Sequence, residues 1–78
     1  MFVSVFKTTV HNNADKLSVI KALRKLGVQL FATLDLQDED RILRVESNKP
    51  IADRVVLLLN SQQYDCEELG TFRFGVPV

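Results

Sequence analysis

The chain has no tryptophan, one cysteine, two prolines and three glycines in 78 residues. One cysteine, Cys66, rules out an internal disulfide and makes a reducing, cytoplasmic setting the simpler expectation. Three glycines leave no material for a phosphate-cradling loop, and no such motif is present. The longest apolar run, Val55 to Leu59, is far short of the ~20 residues that cross a bilayer. Met1-Phe2-Val3-Ser4 has no basic segment ahead of apolar residues, so a secretory signal is not expected. Charge of one sign is missing too. Ten Lys and Arg balance ten Asp and Glu, which removes the electrostatic footprint of a nucleic-acid binder. No Ser/His/Asp or Cys/His nucleophile set can be assembled, so an enzyme is not expected. One small core is all that this length allows, and its stability should be marginal.

What is present is a clear alternation of patterns. Phe2 to Val10 alternates and is rich in Val, Phe and Thr, the signature of a strand. Both of its faces carry apolar residues, which predicts a central position. Asn12 or Asn13 can cap a helix spanning Lys16 to Leu26, with Asp15 in the first turn, where the helix dipole favours a negative charge. Val19, Ala22, Leu23 and Leu26 share its apolar face, and Lys21, Arg24 and Lys25 its wet side. Gly27 ends it in a left-handed conformation.

Val28 to Leu36 reads as a strand with Leu30, Ala32, Leu34 and Leu36 inward and Phe31, Thr33 and Asp35 outward. The acidic turn Gln37 to Asp40 leads to a further strand, Arg41 to Ser47, with Leu43 and Val45 inward and Ile42, Arg44 and Glu46 outward; the pair forms a hairpin. Asn48-Lys49-Pro50 opens a second helix, with proline in the first turn. Ile51, Ala52, Val55, Leu58 and Leu59 face inward and Leu57 lies exposed. Gln63 to Leu69 supplies the last strand and Gly70 punctuates it. Residues 1–70 then form the domain, and residues 71–78 a tail or extra strand in which Phe72, Phe74 and Val76 alternate. The tail is expected to lie against the sheet or a neighbouring chain over Thr71 to Phe74.

The order strand, helix, strand, strand, helix, strand predicts an α+β ferredoxin-like βαββαβ sandwich, a four-stranded antiparallel sheet with two helices on one face. That fold hosts many unrelated functions. Its RNA-binding version stacks bases on aromatics of the central strands. Arg41 to Glu46 contains none.

Five stretches carry a resemblance: Phe6-Lys7-Thr8-Thr9-Val10, Leu26-Gly27-Val28, Asp35-Leu36, Ile42-Leu43-Arg44-Val45-Glu46-Ser47 and Tyr64-Asp65-Cys66-Glu67-Glu68-Leu69. Together they resemble the heavy-metal-associated domain of copper chaperones and metal-pumping ATPases, over Phe2 to Leu69. That resemblance implies a Cys-x-x-Cys after the first strand, and its two cysteines fall on Asn12 and Asp15. An amide and a carboxylate are weak replacements for thiolates toward a soft ion. His11, Asn12 and Asp15, or Cys66 in a dimer, are the candidates for holding a metal; an exposed histidine beside a helix cap is the plainer reading. The acidic run Asp38 to Asp40 lacks the glycine and the spaced ligands of a calcium loop. The expected role is therefore a non-enzymatic module with a degenerate metal loop and no resident cofactor. Its partner is a protein or a second copy, met through the first helix (Lys21, Arg24, Lys25) or the open sheet face (Phe31, Ile42), with no nucleic acid and no membrane. The alternative is a metal-binding accessory domain.

Overall fold

A computed structural model describes residues 1–75. Six elements follow one another: β1 (Phe2–Thr8), α1 (Asn13–Arg24), β2 (Leu30–Asp35), β3 (Ile42–Ser47), α2 (Ala52–Ser61) and β4 (Cys66–Arg73). The strands form one antiparallel sheet in the order β2-β3-β1-β4, the ferredoxin-like arrangement. β1 is central, as its two apolar faces require.

Phe6, Val10, Val19, Leu23, Leu43, Val45, Val55 and Leu59 are sealed between sheet and helices. Leu34 joins them, and Leu57 is 68% exposed. Leu26, Leu30 and Leu58, expected in the core, pack against its edge and stay partly exposed. Leu26 does so because α1 stops at Arg24, two residues early. The amides of Lys25 and Leu26 donate to the Ala22 and Leu23 carbonyls, which tightens the end of the helix. Gly27 then turns the chain at φ +77°.

Other boundaries shift for identifiable reasons. α1 begins at Asn13 rather than Lys16, because Asn12 caps it. β2 and β3 are shorter at their ends than the alternation predicts. Arg41, expected to open β3, has a φ of +48° and belongs to the turn: its amide donates to the Asp38 carbonyl and its guanidinium to the Leu36 carbonyl. Pro50 lies outside the first turn of α2. Ile51 occupies the cap position with no side-chain cap bond, and its apolar side chain is buried in the core instead.

The largest departure is in β4. It begins at Cys66, not Gln63; Gln63 has a φ of +71° and forms the turn that leaves α2. Gly70 does not end it. β4 runs on to Arg73, opposite Phe2, with a bulge at Leu69 that lets Val5 pair Gly70 and Phe6 pair Glu68. Thr71 to Arg73 thus lie in the sheet, and the Phe74 amide donates to the Met1 carbonyl. Val76, expected to share a side with Phe72 and Phe74, lies outside the described residues.

The buried hydroxyls have partners. Ser4 bonds Thr71 at 2.9 Å, Thr8 donates to the Arg41 carbonyl at 2.7 Å, and Ser47 to the Lys49 carbonyl at 2.7 Å. Thr8 in this way joins β1 to the hairpin turn beside the segment that enters α1.

Candidate metal loop and its surroundings

The turn from β1 into α1 is fastened from three directions. Val10 is buried and anchors its start. The Thr9 amide donates to the Asp65 carbonyl at 3.2 Å, and the Asp65 amide donates back to the Thr9 hydroxyl at 2.9 Å. These bonds tie the turn to the segment that opens β4. Asn12 is in extended backbone, and its Oδ1 accepts from the Asp15 amide at 2.8 Å. That is a helix N-cap, which satisfies one of the free amides of the first turn.

Asn12 and Asp15 are therefore brought together, with Asp15 in the first turn as expected. The bond that joins them uses the Asn12 oxygen that a metal would need. His11 is exposed to solvent at the same turn. Cys66 stands opposite Thr8 at this end of the sheet, half-buried against the core. Among the described residues no three His, Cys, Asp or Glu side chains converge as a metal-ligating group.

The Cys66 thiol is pushed up to about 11, first by burial and then by the Glu68 carboxylate. A thiol so raised is mostly neutral near pH 7, which suits neither metal binding nor nucleophilic attack. Its alkylation by iodoacetamide should be slow at pH 7–8 and rise steeply as the pH approaches about 11. The neutral thiol is favoured by folding. Its contribution to stability is therefore intact below about 9, the ordinary value, and is lost as the pH rises to about 11. Fast alkylation of the native protein at pH 7 would show that the thiol is neither buried nor held neutral.

One residue at this site was missed from sequence. The Tyr64 phenol is raised above its ordinary value, first by desolvation and then by the Asp15 carboxylate beside it. Tyr64 follows the end of α2, and its amide donates to the Leu59 carbonyl, which delivers the ring to the start of α1. Its only sequence signal was its position just ahead of Asp65 and Cys66.

The other candidates are spread out. Lys21, Arg24 and Lys25 are exposed on α1, and none is in an ion pair among the described residues, where Lys7 with Asp40 at 3.4 Å forms one. Phe31 and Ile42 do share the open face of the sheet. They stand at opposite ends of the hairpin, Phe31 opposite Glu46 and Ile42 opposite Asp35.

No family model matches the sequence, and no curated protein matches it. Among solved structures, the chain is similar to the N-terminal domain of ZntA in the Zn(II) form. The TM-score is 0.71, at 19% identity, over 92% of this chain and 97% of that one. The shared fold is the ferredoxin-like βαββαβ arrangement. At this identity the likeness to the ZntA domain is one of fold. No helix among the described residues is long and apolar enough to cross a membrane.

Proposed function

We propose that this chain is a non-enzymatic interaction module of the heavy-metal-associated fold, cytoplasmic, whose metal loop has lost its ligands and which acts by binding a protein. The observation that carries this reading is the Asn12 cap. At a position where the resemblance puts a thiolate, an amide oxygen is committed to the Asp15 N–H at 2.8 Å. The chain's single thiol supports it as well, being half-buried and held neutral. An amide, a carboxylate and a solvent-exposed imidazole do not fit a soft ion, and no step is assigned to one. The basic side of α1 and the open sheet face remain as surfaces for a partner.

A second reading keeps a metal at His11, Asn12, Asp15 or Cys66. It is favoured by one observation: the ZntA domain with the same fold was solved in a Zn(II) form. Backbone amide spectra separate the two. Zn(II), Ni(II) and, under reducing conditions, Cu(I) are titrated into the protein at micromolar concentration. The expected result is no saturable shift around Val10 to Lys16. Saturable shifts confined to that segment would restore the metal-binding reading.

A further inference from the structure

The open face of the sheet is arranged in rows set by the strand register. One row, across β2, β3, β1 and β4, is Phe31, Glu46, Val3 and Phe72. The next row along the strands is Thr33, Arg44, Val5 and Gly70. Phe31 and Phe72 are 62% and 57% exposed at the two margins, roughly 14 Å apart across three strand spacings. Between them stand the charged Glu46 and Arg44 on β3 and the shorter Val3 and Val5 on β1, Val3 being buried beneath its neighbours. The Phe72 ring leans over Gly70, where an added Cβ would meet it at 3.5 Å. Neither helix covers this face, because both lie on the opposite side with the core.

The two rows complement each other. Reversing the strand direction by a two-fold axis between them, lying in the plane of the interface, lays one row on the other. Glu46 then falls over Arg44 and Val3 over Val5. Phe31 meets the smaller Thr33, and the two Phe72 rings meet above the glycines as an aromatic pair. Opposite charges face each other twice, and bulk faces a gap. This is the self-complementarity that an isologous contact requires. The chain has no net charge to oppose the approach of a second copy.

From this geometry, and resting on the reading that the chain acts by binding a protein, we infer that the open sheet face binds a second copy of itself, with Arg44 of each copy paired to Glu46 of the other. Two sheets packed face to face stand about 10 Å apart with strands nearly aligned, which fits this stacking of rows. The footprint of four strands by about six residues is roughly 400 Å², against about 800 Å² per partner in an interface of standard size. The dimer is therefore weak and depends on concentration.

The test is sedimentation equilibrium on the full chain from about 10 μM to 1 mM. Arg44 is exposed, so charge reversal there leaves the fold intact, as circular dichroism checks. Wild type should pass from monomer to dimer within this range. Arg44→Glu sets carboxylate over carboxylate and should weaken the dimer by tenfold or more. The swap Arg44→Glu with Glu46→Arg restores both pairs and should return the constant to within about threefold of wild type. Arg54→Glu, an exposed charge reversal on α2, should change nothing. A monomer throughout, a dimer indifferent to Arg44→Glu, a dimer lost with Arg54→Glu, or a loss that the swap fails to repair would each overturn the inference. The reading of the metal loop stands or falls separately, on the metal titration.

Discussion

Leu23→Ala is expected to lower the unfolding free energy by about 2–5 kcal/mol. Leu23 is 0% exposed, on the face of α1 that meets the core, among residues as sealed as Phe6, Val55 and Leu59. Truncation removes three carbons, and helix and sheet hold the cavity open between them. A chain of this length has about 4–12 kcal/mol of stability at the usual value per residue. The loss is then a large share of the total. Urea unfolding would show a lower midpoint at an unchanged slope. Leu57→Ala is the control: the same truncation on the exposed side of α2 should stay within about 0.5 kcal/mol. A cost under 1 kcal/mol for Leu23→Ala would contradict the packing of α1 described above.

The second large effect is a gain. Asn12→Cys with Asp15→Cys should bind Zn(II) and Cu(I) far more tightly than wild type. The Asn12 side chain already reaches the Asp15 backbone amide across the first turn of α1, where the free amides and the helix dipole favour a thiolate. A four-ligand zinc site contributes about 10–16 kcal/mol. Two thiolates supplying half of that give on the order of 5 kcal/mol, more than a thousandfold. Loss of the Asn12 cap costs about 1 kcal/mol in return, so the fold persists. Zinc prefers four ligands, and the engineered loop should draw in a second molecule or an added thiol. Competition against a coloured chelator, with wild type beside the variant, measures the difference. Tight binding by wild type would defeat the degenerate-loop reading. A folded variant with no gain would show that Asn12 and Asp15 do not stand at the thiolate positions, leaving a shared fold alone.

Elements whose order and burial follow from local pattern were legible in the sequence. The period-2 alternation of Leu30, Ala32 and Leu34 and the helical spacing of Val19 and Leu23 each report one face of one element. Gly27 and Asn12 carry their own turn and cap chemistry. What was not legible depends on contacts between distant segments. Gly70 reads as a breaker on its own, but the paired Val5 and the Phe72 ring leaning over it let β4 continue. Pro50 suits a first turn, yet burial of Ile51 starts α2 two residues later. Arg41 and Gln63 adopt positive φ because their turns demand it, with no glycine to announce them. The site divides the same way: Asn12 and Asp15 were visible as neighbours on a helix, whereas Tyr64 reaches Asp15 only through the fold.

The clasp between the two ends of the described chain sets the timing of folding. Met1 donates its amino group to the Phe74 carbonyl at 3.0 Å and accepts the Phe74 amide at 2.8 Å, across 73 residues of sequence. The middle strand of the sheet is thus made early and completed late. As the chain leaves the ribosome, β1 can pair β3 once residue 47 has emerged, but its other edge stays bare until β4 follows. Closing so long a loop is entropically slow. During that interval Val3, Val5 and Phe6 present an open strand edge to any neighbour. The vulnerable form of this domain is therefore the one that still lacks β4, and a truncation just before Cys66 would make that state permanent.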